Sequence, residues 1–273
     1  MQRLDGIFRR IGAMGITATE RHWALIPPAL AQWARPRVMR LGDGLATLLE
    51  KSDSLRMNRV IGLGHRGAAK EEMIDALVEF YRAARLKRFS FLLGPSPQAA
   101  EIGRWLDKRG FTRRGGYRLL LRECSVPIPR IPSKVTVTRA GRAQWGALVR
   151  VQSEVFAVPA SRRDWSMAAA AAGENECFLA FLGATTVGAG ILRSDAGLAW
   201  LGGGATRTRW RRRGVQTALI GARLRRAARL GCQWAWAETL EPRAGRPNGS
   251  RRNLIRLGFE EVCTEPSFVW QER

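Results

Sequence analysis

Apolar residues recur along this chain with two periods. From Glu71 to Leu86 (EEMIDALVEFYRAARL) they fall at positions 73, 74, 77, 78, 80 and 81, the spacing that lines one face of a helix. The run FSFLL that follows reads as a strand, and QAAEIGRWLDKRGF returns to the helical period. The same order comes back late in the chain: a helix over 216–230, a strand QWAWAE at 233–238, and a helix ending in RNLIRLGF. RAARL occurs at 82–86 and 226–230, 144 residues apart, and Gly-Phe pairs at 110–111 and 258–259 are 148 apart. A near-constant offset across three elements predicts two copies of one α/β unit. Between them CSVPIPRIPSK carries three prolines, which disfavour helix and predict an extended linker. The expected division is a first domain over 1–125, a linker over 126–134 and a second domain over 135–273. Within helix 216–230, Leu219 or Ile220, Leu224 and Ala227 are spaced to pack on a sheet, which puts Arg223, Arg225, Arg226 and Arg229 mostly on the opposite, solvent-facing side.

Composition narrows the function classes. With 273 residues, 45% hydrophobic, and ten Trp and ten Phe, the chain has ample material for packed cores. The opening MQRLDGIFRRIG interrupts its apolar positions with charge, and no run of about eighteen apolar residues occurs, so the expectation is a cytoplasmic protein with no membrane span. Four cysteines lie far apart without a CxxC pair, and both histidines, His22 and His65, fall in the first quarter. Neither a zinc site nor a disulfide framework has its usual spacing, so the cysteines read as buried free thiols, and little material exists for Ser-His-Asp or Cys-His catalysis.

The net charge of +23 is spread evenly: residues 1–125 hold 23 Lys+Arg against 12 Asp+Glu, and residues 126–273 hold 23 against 11. Of 46 cations, 41 are Arg, a bias that genome composition produces without selection on binding. One segment stands out locally. Nine arginines lie between Arg207 and Arg229, and no acid occurs between Asp195 and Glu238. Arg211, Arg212 and Arg213 lead through Gly214 into a helix, so cations crowd the end where free N–H groups already carry positive partial charge. A helix N-terminus of this kind is an anion site, and Gly214 lets main chain approach a phosphate with no Cβ in the way.

In this context the segment resembles the GNAT superfamily of N-acetyltransferases, in which a strand leads into a loop R/Q-x-x-G-x-G/A and then a helix. Arg211-Arg212-Arg213-Gly214-Val215-Gln216 matches the first four positions and puts Gln216 where a small residue is usual. GGGATRTRW stands where the family has the strand before the loop, VGAGIL (187–192) and LAWL (198–201) look like the preceding hairpin, and RNLIRLGF is similar to the closing helix with its Gly-Phe turn. The resemblance covers residues 135–273 and, more faintly, 1–125 as a degenerate copy. It implies two α/β domains, each a mixed, mostly antiparallel twisted sheet flanked by helices, with acetyl-CoA as acyl donor and an amine on a small molecule or peptide as acceptor. By the same resemblance the cofactor-binding residues are Ala205, Thr206, Arg207, Arg211, Arg212, Arg213, Gly214, Val215, Gln216, Thr217 and Asn253, with Ser250 beside Asn253 near the pantetheine arm.

Direct amine attack on a thioester needs a base, N–H donors for the developing oxyanion, and a proton for the thiolate. The resemblance implies main-chain donors near Ala205 and Thr206. Glu238, at the end of an apolar strand beside Trp236, is the candidate base, with a pKa that burial there would raise; Asp164, Glu174 and Glu176 are weaker candidates. The family often uses a Tyr as general acid four residues before the Gly of its Gly-Phe turn, and here that position is Leu254. In the first copy GLGHRG (62–67) satisfies GxGxxG, yet Glu71 and Glu72 open the next helix, so that loop is expected to be empty of phosphate. The alternatives are a basic nucleic-acid-associated module, less favoured because the tryptophans sit in apolar strands, and a non-catalytic acyl-CoA-binding pseudoenzyme.

Overall fold

The computed structural model describes residues 2–171, 175–242 and 248–272. The chain divides into two compact units, one of Met1–Tyr117 with Cys263–Arg273 and one of Arg118–Val262.

The first unit contains α1 (Gln2–Ala24), α2 (Pro28–Ala34), β1 (Pro36–Leu41), β2 (Gly44–Leu49), β3 (Arg59–Ile61), α3 (Glu72–Arg82), β4 (Arg88–Leu92), α4 (Ala99–Lys108) and the start of β5 (Thr112–Glu123). β1, β2 and β3 pair antiparallel and β3 runs parallel to β4. The other edge of β4 is covered by Ser267–Gln271, antiparallel, with Phe268 opposite Phe91. The helical period found in the sequence supplies the core: Ile74, Leu77 and Tyr81 of α3 and Ile102 and Leu106 of α4 pack on Phe89, Phe91 and Phe111. Tyr81 stacks on Phe89 at 4.2 Å, and its hydroxyl donates to the Thr47 carbonyl at 3.1 Å. Burial pushes that hydroxyl's pKa upward.

The second unit contains β6 (Thr136–Arg139), α5 (Trp145–Phe156), α6 (Arg163–Ala171), β7 (Asn175–Leu182), β8 (Thr185–Asp195), β9 (Leu198–Thr206), α7 (Val215–Arg229), β10 (Trp234–Leu240), α8 (Gly249–Arg256) and the start of β11 (Glu260–Gln271). Its strands are ordered β6-β7-β8-β9-β10-β5, antiparallel from β6 to β9 and parallel between β9 and β10. α7 buries Leu219, Ile220, Leu224 and Ala227 against Val187, Leu192, Ala199 and Leu201. On the opposite face, Leu179 of β7 and, beyond register shifts in the ladder, Ala189 and Ala205 pack with Leu148 and Val151 of α5. The sheet therefore has α7 on one face and α5 on the other.

The two copies share their local grammar. Gly110 and Gly258 follow α4 and α8 at φ 77° and 83°, the left-handed turn that ends a helix with least strain when the residue is glycine. Just after each, Phe111 N–H donates to the Leu106 carbonyl and Phe259 N–H to the Leu254 carbonyl, both at 3.1 Å.

The division differs from the expected one. The proline-containing stretch lies inside the second unit, with Ile128 and Ile131 packed on the α7 core. Buried Arg122 fastens its start, donating to the carbonyls of Leu257 (2.7 Å), Val126 (2.7 Å) and Pro127 (3.1 Å). The boundary falls instead within β5 and within β11. Cys177 and Cys232 are buried, Cys124 and Cys263 partly so, and all four are free thiols; burial pushes the Cys124 and Cys177 thiols up to about 11. No group of residues fit to hold a metal occurs among the described residues, and no described helix is long and apolar enough to cross a membrane.

Candidate functional site

The segment between β9 and α7 turns sharply. After a short helical turn over Thr208–Trp210, Arg212 and Gly214 adopt left-handed φ angles of 62° and 77°. For an arginine this conformation costs on the order of 1 kcal/mol or more, and alternating signs of φ curl successive main-chain N–H groups toward one concavity. Among the described residues, none of the N–H groups of 212–217 donates to any partner, and the bonding of α7 begins with Ala218 N–H to the Gly214 carbonyl. Six consecutive donors stand free at a helix N-terminus whose first turn has no acid. The side chains of Arg211, Arg212 and Arg213 are exposed. Arg213 lies over the Trp210 ring at 5.0 Å with Arg209 at 5.6 Å from the same ring, and the side chains of Arg211 and Arg212 make no hydrogen bond or ion pair among the described residues.

The strand before the loop is interrupted. Ala189 pairs with Ala205 and Ile191 with Gly202, so Gly190 faces both Gly203 and Gly204 across a bulge. Gly203 takes φ 57°, and its carbonyl accepts from Gln152 Nε2 of α5 at 2.8 Å. The parallel ladder between β9 and β10 stops at Trp200 and Trp236, and beyond that pair the two strands part. Arg207 N–H donates to the Val187 carbonyl, so the alternation of an antiparallel ladder turns Thr206 N–H away from β8, toward the fork, and Ala205 N–H back toward β8. Of the two expected carbonyl-polarising amides, Thr206 is the one that faces the opening.

Several side chains stand elsewhere than the sequence reading placed them. Arg223 is not on the solvent face: it is 2% exposed, donating from Nε to the Leu219 carbonyl at 3.1 Å and from Nη1 to the Ile191 and Gly202 carbonyls, each at 3.0 Å. Burial lowers its pKa to about 10. Arg207 is held by Glu154 at 3.0 Å and by the Thr186 carbonyl at 3.3 Å, which ties it to α5 and β8. Gln216 does not stand in the way of the N–H groups; it reaches across to α8, donating to Ser250 Oγ at 2.7 Å and accepting from Asn253 Nδ2 at 2.8 Å. This pairing explains how a long polar residue replaces the usual small one, and it engages Asn253 and Ser250 within the protein. Val215 and Thr217 are buried at the start of α7.

Glu238 is exposed, two residues beyond the last ladder pair and on the same strand face as Trp236. Asp164 is exposed in the first turn of α6, and Glu174 lies outside the described residues. Glu176 is committed to Arg226 at 2.9 Å and Arg139 at 3.1 Å; desolvation works against its charged form, but these hydrogen bonds prevail and hold its carboxyl below the usual range. Leu254 is 3% exposed in the core, and both tyrosines belong to the first unit. Thr239, for which the sequence carries no motif signal, buries its Oγ1 with no hydrogen-bond partner among the described residues, on the part of β10 beyond the last ladder pair. A separate cavity of about 360 Å³, floored by Val137 and Phe178 and rimmed by Arg139, Arg225, Arg226 and Arg229, lies over β6 and β7, away from the fork.

The corresponding loop of the first unit is filled from within. The Asp43 carboxylate accepts from Gly64 N–H and from Arg66 N–H, both at 2.7 Å, Ala69 N–H donates to Gln98 Oε1 at 2.8 Å, and Gly67 N–H donates to the Gly64 carbonyl. The expectation of a loop empty of phosphate rests on Glu71 and Glu72; the structure adds a buried carboxylate, Asp43, seated on the loop's amides.

Neither a protein-family model nor a curated protein matches the sequence. Among solved structures the chain is similar to a GCN5-related N-acetyltransferase from Kribbella flavida (TM-score 0.61, 15% identity, 96% of this chain and 95% of that one). It is also similar to a GCN5-related N-acetyltransferase from Sphaerobacter thermophilus (TM-score 0.62, 17% identity, 84% and 76%). A third is a tandem GNAT protein from the clavulanic acid biosynthesis pathway (TM-score 0.63, 15% identity, 85% and 79%). The chain has a tandem GNAT-type fold. At these identities the likeness is one of fold, and it spans both units. In that fold α7, with its open amides, and the fork between β9 and β10 belong to the second GNAT unit, and the loop closed by Asp43 belongs to the first.

Proposed function

We propose that this protein is an acyl-CoA-dependent N-acetyltransferase whose second unit moves an acetyl group to a primary amine by direct attack. The observation that carries this reading is the row of six unpartnered N–H groups over 212–217, next to exposed arginines and ahead of a forked pair of strands. Such donors suit a diphosphate: each charge-assisted bond contributes about 1.5–3 kcal/mol when partly desolvated. Arg211, Arg212 and Arg213 add guanidinium contacts around Gly214, Val215, Gln216 and Thr217. Ala205 and Arg207 shape the strand end, and Asn253 positions Gln216. Thr239 Oγ1 offers a hydroxyl to an amide-bearing arm entering the fork. Acetyl-CoA supplies the thioester when bound.

Thr206 N–H polarises the carbonyl under attack, and Glu238 takes the ammonium proton directly or through water. With leucine at position 254, water delivers the proton to the departing thiolate. The net charge of +23 disfavours polycationic acceptors and suits neutral or anionic amines or a peptide N-terminus.

Titration calorimetry with acetyl-CoA tests the reading. Binding that weakens when Arg211 and Arg213 become alanine supports it; no heat at millimolar ligand overturns it. A screen for CoA release across amine classes separates an enzyme from a binding-only pseudoenzyme, which would bind and release nothing. A second reading, a basic nucleic-acid-associated module, is favoured by the arginine-rimmed cavity over β6 and β7 alone. Affinity for RNA or DNA falling steeply between about 50 and 200 mM salt would be its signature.

A further inference from the structure

Among the described residues, Arg223 has the largest of the fully buried side chains, and no carboxylate pairs with it. A hydrophobic residue of similar length would fill this volume without desolvating a charge, so packing alone does not explain an arginine here. Its environment is built to receive it. Gly190 and Gly204 lie against the guanidinium, and a Cβ at Gly190 would come within 2.9 Å of Cζ and one at Gly204 within 3.5 Å of Nη2. The acceptors are the carbonyls of Ile191 and Gly202, the residues that bound the bulge on its two strands. Gln152 holds the Gly203 carbonyl between them from the α5 side. The bulge is therefore pinned from both faces of the sheet, and the pin on the α7 face carries a full positive charge.

We infer that Arg223 is a positioning residue for acyl transfer: it fixes the β9 bulge so that Thr206 N–H is aimed into the fork, and it sets an uncompensated cation beneath the main chain that meets the developing oxyanion. This rests on the acetyltransferase reading and adds to it a side chain that touches neither substrate. A fixed charge in a dry site acts on a forming oxyanion far more strongly than one in water, and it needs no reorganisation during the reaction. Arg225, two residues on and exposed, provides the internal control.

The test compares Arg223→Met, Arg223→Lys and Arg225→Met. For Arg223→Met, acetyl-CoA affinity is expected to stay within about threefold, because the N–H row is intact, while kcat falls at least about tenfold. The thioester carbonyl stretch of bound ¹³C-labelled acetyl-CoA is expected to move back toward its solution frequency, with Arg223→Lys recovering part of both and Arg225→Met changing neither. In the ligand-free protein, amide exchange over 203–206 is expected to rise at least about tenfold in Arg223→Met alone. Wild-type kcat, stretch and exchange in that variant would overturn the inference. Should it fail to fold, Gly190→Ala displaces the guanidinium while keeping its charge, and the same measurements apply. If the wild-type protein binds no acetyl-CoA, the acetyltransferase reading falls, and the exchange comparison still decides whether Arg223 holds the bulge.

Discussion

The two glycine-containing loops of this protein, over 62–67 and 211–217, start from the same physical problem and resolve it in opposite ways. Each turns through left-handed residues into the segment before a helix, and each gathers main-chain N–H groups that need an acceptor. In the first unit the acceptor is built in: Asp43 lays both oxygens on the amides of Gly64 and Arg66. In the second unit six amides in a row have no acceptor among the described residues and arginines surround them. The difference teaches that an anion site cannot simply be dropped from a fold. Its donors must be met, and in the first unit a carboxylate of the chain's own meets two of them.

The contrast can be broken most severely by giving the second loop what the first one has. Gly214→Asp places a carboxylate at the amides and a Cβ at φ 77°, 3.1 Å from Ser133 Oγ, and acetyl-CoA affinity measured by calorimetry is expected to fall at least about 100-fold, or about 2.7 kcal/mol. Glu238→Gln leaves the loop alone and is expected to lower kcat about 100-fold with little change in affinity; a wild-type rate would remove Glu238 from the mechanism. Replacing Arg211 and Arg213 together by alanine keeps every amide, so affinity is expected to drop about 10-fold or more, with a shallower salt dependence.

Asp43→Asn probes the other side. It is expected to lower stability by about 1–3 kcal/mol in thermal unfolding, while acetyl-CoA affinity and turnover in the second unit remain as in the wild type.

The smallest effect separates ligand-directed arginines from structural ones. Glu176 has its folded pKa below its unfolded value of about 4.3, so its ion pairs stabilise the protein above that pH and the contribution is lost as pH falls through the folded value. Glu176→Gln is expected to flatten the acid limb of a stability profile slightly, without altering acetyl-CoA binding at neutral pH.

Much of this was legible in the chain. The helical period of residues 73–81, the recurrent Gly-Phe turn and the three arginines before Gly214 are local signals, and each maps onto a local structure: α3, the ends of α4 and α8, and the loop before α7. What escaped was non-local. The filling of the first loop depends on Asp43, some twenty positions upstream, and no spacing rule connects it to Gly64. Helical spacing is expected to turn Arg223 to solvent, yet it stands four residues from both Leu219 and Ala227, on the face that packs. Its signal lay in the strands it meets, where VGAGIL and GGGA leave room for a large side chain that no residue on those strands supplies. Gln216 departs from the motif, and its partners on α8, Ser250 and Asn253, supply the reason.

The strand that covers the outer edge of β4 is drawn from residues 267–271, although the rest of that unit is complete by Tyr117. The half of the protein made first by the ribosome is thus the half finished last. Until those residues emerge, Phe89 and Phe91 sit on a strand with one open edge, exposed to pairing with a neighbour. Nascent chains halted short of residue 263 should be the sticky ones, and a chaperone that guards strand edges would find its work in the first unit, long after most of that unit has been translated.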